Sequence, residues 1–148
     1  MTYRKATIED INKLAILFND YRVFYRKEEN KEKAKVFLSE RINNNDSKIF
    51  VAESETQELT GFVQLYPLFS STRMEKLWLL NDLFVNPDFR NKGISVGLIE
   101  MAKELVKETK ACGMFLETEK TNIVGNNLYP KTGFALNEGS NFYDWNPT

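Results

Sequence analysis

The chain reads, at residues 78–97, Trp78-Leu79-Leu80-Asn81-Asp82-Leu83-Phe84-Val85-Asn86-Pro87-Asp88-Phe89-Arg90-Asn91-Lys92-Gly93-Ile94-Ser95-Val96-Gly97. Its first eight residues are apolar on both alternating faces, which is typical of a central strand covered on both sides. From residue 94 onward, apolar residues recur at helical spacing up to Thr109. We therefore predict a buried strand, a turn and a helix, with the functional site built on this segment.

The start of the predicted helix is suited to hold an anion. The first helical N–H groups have no partner inside a helix and the macrodipole favours negative charge, so a phosphate fits on the amides of about residues 90–96. Gly93 permits close approach of the backbone, and Arg90 and Lys92 add positive charge. The same residues are equally typical of an ordinary turn before a helix, and these residues alone leave both interpretations open.

The remaining segments predict a single mixed α/β domain over residues 1–148. Helical spacing indicates helices from Thr7 to about Tyr21, over 31–42 and over 124–131. Residues of high β propensity predict strands at 3–7, 48–54, 60–68, 114–118, 134–136 and 141–145. The resulting order, β-α-α-β-β-β-α-β-α-β-β, is neither doubly wound nor a barrel.

Charge and composition exclude several classes of function. Twenty basic and 21 acidic side chains leave a net charge of −1, so we expect no nucleic-acid partner. No segment has the apolar length of a membrane span or signal peptide, and the one cysteine, Cys112, has no internal disulfide partner, so we expect a cytoplasmic protein without a membrane partner. Histidine is absent, which removes Ser-His-Asp and Cys-His pairs and His-containing zinc sites; we expect no metal.

Two segments resemble the GNAT superfamily of N-acetyltransferases. Asp82-Leu83-Phe84-Val85-x-Pro87-x-x-Arg90-x-Lys92-Gly93-Ile94 is similar to the family's pyrophosphate-binding motif, and Asn122-x₅-Leu128-Tyr129-x₃-Gly133-Phe134 resembles its segment beside the thioester. The element order from residue 3 to about 145 is also similar. The resemblance implies the GNAT α/β fold: a mostly antiparallel sheet that splays at a parallel strand pair, 78–85 with 113–118, and has helices on both faces.

The resemblance further implies that acetyl-CoA is the acyl donor and that no metal takes part. Backbone groups of Leu83 and Val85 are expected to pair with the pantetheine arm. Ser95 stands where the family usually has Gly or Ala, and Gly125 stands at a usual Ala position, where Gly costs a helix up to about 1 kcal/mol. The predicted cofactor-binding residues are Leu83, Phe84, Val85, Arg90, Asn91, Lys92, Gly93, Ile94, Ser95, Val96, Asn122 and Tyr129.

Catalytic roles follow from the same resemblance. Tyr129 matches the family's proton donor to the departing CoA sulfur; the alternative is a buried helix aromatic. Asp82 is the predicted base, acting through water, with Glu117 or Glu119 in reserve. Because an unpaired carboxylate in a buried strand costs several kcal/mol, a structural ion pair of Asp82 with Lys or Arg is the alternative. Asn122 is expected to contact the pantetheine arm or, alternatively, only to cap a helix.

The acceptor is predicted to be a primary amine of a small molecule, such as a polyamine or an amino acid. The nearest resemblance is to the polyamine and small-amine branch, although Asn81 stands where polyamine enzymes carry a second carboxylate. The predicted acceptor residues are Tyr21, Tyr25, Asn81 and Asp82. Direct transfer in a ternary complex is expected because no Cys or Ser has a nucleophile's setting. A protein or peptide acetyltransferase and a non-catalytic acyl-CoA-binding module are the alternatives, and a homodimer is possible.

Overall fold

The structure, a computed structural model, describes residues 1–147. The chain divides into two compact units, Met1–Glu117 and a second that begins at Thr118. The elements of the first unit are β1 (Thr2–Lys5), α1 (Ile11–Phe24), α2 (Lys31–Asn44), β2 (Lys48–Glu53), β3 (Leu59–Ser70), β4 (Glu75–Val85), α3 (Ile94–Glu108) and β5 (Met114–Phe115). The second unit contains α4 (Ile123–Lys131). No helix among residues 1–147 is long and apolar enough to span a membrane.

The five strands form one sheet in the order β1-β2-β3-β4-β5. The first three pairings are antiparallel and the last is parallel, which confirms the predicted mixed sheet. β4 and β5 pair only at Trp78 with Met114 and at Leu79 with Phe115. Beyond Leu79, β4 runs on without β5 beside it, so the predicted splay lies along residues 80–85.

Helices cover both faces of the sheet. The Phe18 ring of α1 lies 6.0 Å from Phe62 of β3, and α2 adds Phe37, stacked on Phe18 at 5.7 Å. On the opposite face α3 packs against β2, β3 and β4, and Trp78 Nε1 of β4 donates to Thr109 Oγ1 at the end of α3 (2.9 Å). The cluster of buried apolar residues under α1 and α2 comprises Ala6, Leu14, Ala15, Leu17, Phe18, Ala34, Leu38, Ile49, Val51, Leu59, Phe62 and Phe84.

A β-bulge interrupts the pairing of β3 with β4. Gln64 lies opposite Asp82, whereas its neighbour Leu65 lies opposite Leu80, so Asn81 is an extra residue in β4. Because side chains alternate faces, one inserted residue turns over all that follow it. Leu80 therefore faces α3, whereas Asp82 faces α1 and α2.

Four local predictions are wrong. The strands predicted at 134–136 and 141–145 do not form, because residues 134–147 are neither helix nor strand, and β5 ends at Phe115 instead of Thr118. Alternating apolar residues report β propensity, but a strand also needs a partner, and most aromatic side chains of this segment are exposed instead. β3 runs on to Ser70 instead of ending at residue 68, so Pro67 lies inside the strand and not at its end. The pairing of β2 stops at Leu65, so Pro67 stands where β3 is an edge strand on that side and needs no N–H.

Candidate active site

The turn before α3 has the backbone of an anion site. Asn91 (φ 62°) and Gly93 (φ 76°) both adopt the left-handed conformation that favours Gly and tolerates Asn. The first hydrogen bond of α3 runs from Gly97 N–H to Gly93 C=O (3.1 Å). The amides of residues 94–96 precede it and have no carbonyl of the helix to bond. The first turn of α3 carries no acidic side chain, so nothing there repels an anion.

The two basic side chains of this turn rest on aromatic rings. Arg90 Nε donates to the Val85 carbonyl (3.1 Å), and its guanidinium lies 5.7 Å from the Phe84 ring and 5.8 Å from Phe24. Lys92 Nζ lies 5.1 Å from the Phe89 ring. These contacts keep both positive charges close to the turn. Val85 is one of the two residues whose backbone groups we expect to pair with the pantetheine arm, and its carbonyl already accepts this hydrogen bond from Arg90.

The other predicted cofactor residues of this segment differ in how exposed their side chains are. Phe84 and Ile94 have core side chains, 6% and 2% exposed, so only their backbone groups are open to a ligand. Ser95 is half-buried and Val96 is exposed. Asn91, Lys92 and Gly93 are exposed, as is Arg90. The structure thus gathers residues 90–96 into one accessible turn.

Asp82 lies in the sheet core beneath α1, with 4% of the residue exposed. Its Oδ2 accepts from Gln64 Nε2 (2.7 Å) and its Oδ1 from Asn81 Nδ2 (3.0 Å). Tyr21 also hydrogen-bonds its carboxylate. Burial raises the pKa of Asp82 above its ordinary value, and the three hydrogen bonds partly oppose that rise. These three partners are uncharged, which differs from the ion pair considered as the alternative.

The predicted acceptor residues in the first unit form one cluster. Tyr21 and Tyr25 meet edge to face with ring centroids 5.1 Å apart, and Tyr21 lies 6.1 Å from Phe84. Asn81 is exposed at the bulge while its amide reaches back to Asp82. Tyr21, Tyr25, Asn81 and Asp82 are therefore brought together, with aromatic rings around one buried carboxyl.

Asn122 and Tyr129 lie in the second unit. Asn122 Oδ1 accepts from Gly125 N–H (3.1 Å) and its Nδ2 donates to Thr118 Oγ1 (2.9 Å), so it caps α4 with both polar atoms engaged. A Cβ at Gly125 would come within 2.5 Å of Asn122 Nδ2. A glycine at position 125 therefore leaves room for the capping side chain of Asn122, which explains why Gly stands there despite its low helix propensity. Tyr129 is half-buried and packs edge to face on Phe134 (5.8 Å).

Two buried polar residues near Asp82, Ser47 and Gln64, were not predicted as part of the site. Ser47 Oγ donates to Gln64 Oε1 (2.9 Å), and Gln64 in turn donates to Asp82. Gln64 is fully buried and Ser47 is 7% exposed. The one available signal was an amide placed between Val63 and Leu65 in an otherwise apolar strand.

Comparison with known proteins identifies the family to which this chain belongs. The model of the "Acetyltransferase (GNAT) family" matches residues 14–134. The chain belongs to the GNAT family of acetyltransferases. It is thus an acyltransferase enzyme with the mixed α/β fold of that family.

Relatives agree with this assignment. An uncharacterized N-acetyltransferase, YhfO of Bacillus subtilis, is 40% identical over 94% of this chain and 93% of its own. A crystal structure of a probable acetyltransferase, 33% identical, superposes with a TM-score of 0.95 and covers 100% of this chain and 99% of its own. A streptothricin acetyltransferase of Escherichia coli is 31% identical over 69% of this chain and 55% of its own.

The residues of this acetyltransferase fit the acetyl-CoA that GNAT enzymes use. A pyrophosphate needs unpaired amides and positive charge without a nearby carboxylate. The turn supplies the amides of residues 94–96, the open backbone at Gly93, and the charges of Arg90 and Lys92. These are the groups that would hold the diphosphate.

Asp82→Asn should change how stability depends on pH. A carboxyl whose folded-state pKa is raised stabilises the native state below its ordinary pKa, 3.8, and this contribution is lost as pH rises through the folded-state value. The substitution removes that loss. The melting temperature of the variant minus that of the wild type should therefore increase from pH 4 to pH 8, measured by calorimetry.

The control is Asp20→Asn, which removes an exposed carboxylate of α1. Its melting-temperature difference over the same range shows what the loss of an exposed carboxylate does by itself. An Asp82→Asn difference that rises no more with pH than the control's would contradict the assignment of a raised pKa to Asp82.

Proposed function

We propose that this acetyltransferase transfers the acetyl group of acetyl-CoA to a primary amine of a small molecule, by direct transfer in a ternary complex. The observation that carries the proposal is the Asp82 carboxyl, which is buried yet bonded only to neutral donors among its hydrogen-bond partners. It precedes the anion-binding turn on the same continuous segment, from β4 into α3. A base and a diphosphate site are the two features that amine acetylation from a CoA thioester requires.

Asp82 is suited to accept a proton. A raised pKa makes a carboxylate a stronger base at neutral pH than an exposed one. An ionised carboxylate offers about four lone-pair sites, and the donors from Gln64, Asn81 and Tyr21 fill three of them. With 4% of the residue exposed, Asp82 is better placed to receive a proton through one water than to hold a bulky ammonium ion directly.

The reaction then balances with one base and one acid. The substrate ammonium loses one proton through water to Asp82 and, as the neutral amine, attacks the thioester carbonyl carbon. The C–N bond forms and the nitrogen releases its second proton to solvent, while the C–S bond breaks and the sulfur takes the proton of Tyr129. A phenol, with a reference pKa of about 10, is protonated at neutral pH and can donate to a thiolate whose acid has a pKa near 8.5. Solvent then restores the proton to Tyr129 and removes the one on Asp82.

A small acceptor is supported by the aromatic cluster and by one relative. The rings of Tyr21, Tyr25 and Phe84 lie near Asp82, and such rings attract amines in their cationic form. The streptothricin acetyltransferase relative, by its name, acts on a small molecule. We extend this class of acceptor to the present chain.

The anion turn predicts how Gly93 variants bind acetyl-CoA. No atom lies within 4 Å of a Cβ built at Gly93, and Asp and Asn tolerate its positive φ similarly, so both variants should fold. Gly93→Asp should bind roughly fivefold or more weakly than Gly93→Asn, since two like charges about 4 Å apart repel by about 1 kcal/mol even in water. Titration calorimetry measures both constants.

In the wild type, acetyl-CoA at about 100 times its Kd should stabilise the protein by about 2.7 kcal/mol. This appears as a rise of several degrees in melting temperature. If the two Gly93 variants bind acetyl-CoA equally well, the diphosphate does not bind at this turn. If acetyl-CoA does not raise the melting temperature of the wild type, the proposal that it binds this protein is wrong.

Turnover itself tests the proposed reaction. Free CoA thiol should appear faster than in the enzyme-free mixture when acetyl-CoA is combined with a panel of polyamines, amino acids and aminoglycosides. Lysine peptides in the same panel separate the protein-acceptor alternative: acetylation of peptides alone would contradict the small-molecule assignment. Binding of acetyl-CoA with no turnover on any amine would indicate an acyl-CoA-binding module.

Tyr129→Phe tests the acid. The ring and its contact with Phe134 are retained while one proton donor is lost, so the variant should fold and still bind acetyl-CoA. Loss of a general acid lowers rates by about 10²–10⁴, and because a thiolate is a good leaving group we expect kcat to fall at the low end. Tyr143→Phe, at an 89% exposed tyrosine, is the matched control. Full activity of Tyr129→Phe would assign the residue to packing.

A further inference from the structure

A buried chain of three polar side chains crosses the sheet beneath α1 and α2. Ser47, just before β2, donates from Oγ to Gln64 Oε1 of β3 (2.9 Å), and Gln64 Nε2 donates to Asp82 Oδ2 of β4 (2.7 Å). Gln64 and Asp82 are direct cross-strand partners. All three residues are less than 8% exposed. These hydrogen bonds thus connect the residue before β2 with β3 and β4, and they end on Asp82, the proposed base.

We infer that Gln64, held by Ser47, is a positioning residue for Asp82: its amide fixes the orientation of the carboxyl and stabilises its charged form. The inference rests on the proposed function, in which Asp82 takes the proton of the amine. It assigns a role to two residues that do not reach the substrate themselves.

Ser47 holds the end of the Gln64 amide that faces away from Asp82. The ionised carboxylate can only accept, so the NH₂ group of Gln64 points at it, and the Ser47 hydroxyl donates to the amide oxygen on the other side. Without that donor the buried amide oxygen loses its hydrogen bond and the amide is held at one end alone. The order donor, amide, carboxylate is therefore directional.

Packing alone does not account for the hydrogen bonds that join Ser47, Gln64 and Asp82. β2 presents Ile49 and Val51 to the same layer, and Phe62 and Phe84 complete an apolar surface around Gln64 and Asp82. Replacing a buried hydrogen-bonded pair by apolar side chains of similar shape is often neutral or stabilising. A polar pair at this position therefore calls for a role other than stability.

Among the groups around Asp82, Gln64 is one of those that most stabilise its charged form. Tyr21 of α1 and Asn81 of β4 supply the other two hydrogen bonds. Tyr66 of β3 is a further titratable group that interacts with Asp82, and burial, chiefly, raises the pKa of Tyr66 to about 12, so it stays neutral. The charges of α2 and its following turn, Arg41 and Asp46, act on Tyr66 and pair with each other at 2.8 Å.

Gln64→Met tests the inference because it keeps an unbranched side chain of similar length and removes both hydrogen bonds. The Asp82 carboxyl should then titrate roughly one pH unit or more higher, as its carboxyl carbon signal in NMR would show. The acidic limb of the kcat–pH profile should move up by the same amount. KM for acetyl-CoA should not change. Ser47→Ala should shift both profiles in the same direction by less.

Thr60→Val is the matched control. It removes another buried hydrogen bond of β3, from Thr60 Oγ1 to the Ala52 carbonyl (3.1 Å), which has no connection to Asp82. Any general loss of stability should appear in it too, without a shift of either titration. If Gln64→Met titrates like Thr60→Val in NMR, the positioning role is overturned; should Gln64→Met not fold, the same comparison is made with Ser47→Ala.

The two readouts separate this inference from the proposed function. NMR titration of Asp82 needs no substrate, so it decides the positioning role even if no amine is acetylated. Wild-type inactivity on every amine would overturn the proposed function alone. An NMR shift in Gln64→Met with an unmoved kcat–pH limb would overturn the connection of Gln64 to catalysis.

Discussion

The extra residue at Asn81 turns over every later side chain of β4, and the site depends on this geometry. Without the bulge, Asp82 would share the face of Leu80 and point toward α3. With it, Asp82 meets Gln64 and the Tyr21 hydroxyl under α1, and Phe84 packs with the aromatic rings there. Bulges recur beside active sites because they redirect single side chains in this way.

The same strand also brings the two halves of the proposed chemistry onto one segment. β4 loses its neighbour β5 after Leu79, so the stretch from Leu80 to Val85 has a free edge within the sheet. It then enters the turn whose left-handed residues, Asn91 and Gly93, open the amides of α3. Arg90 connects the two parts by bonding the Val85 carbonyl while resting on Phe84. The proposed proton acceptor and the proposed anion site thus lie on one continuous segment.

How much the sequence predicts depends on how local each feature is. The β4–α3 turn and the helices were predicted because spacing, glycine and charge within a few residues determine them. The bulge, the Ser47–Gln64–Asp82 chain and the missing C-terminal strands depend on which distant residues pair, and no local pattern reports register. Gly125 shows the same limit: its reason is the Asn122 side chain folded against it and not its helix propensity. The assigned roles of Asn122 and Tyr129 remain predictions.

The neutral hydrogen-bond partners of Asp82 fit the role of base that we propose for it. An arginine or lysine in contact would satisfy a buried carboxylate, but it would also lower the pKa and make the carboxylate a weaker base. An apolar surrounding without donors would leave the carboxyl protonated, and it could then take no proton from the amine. Donors from Gln64, Asn81 and Tyr21 lie between these limits, since they stabilise the charge without cancelling it. A fixed neutral amide therefore suits a buried base better than a counter-ion does.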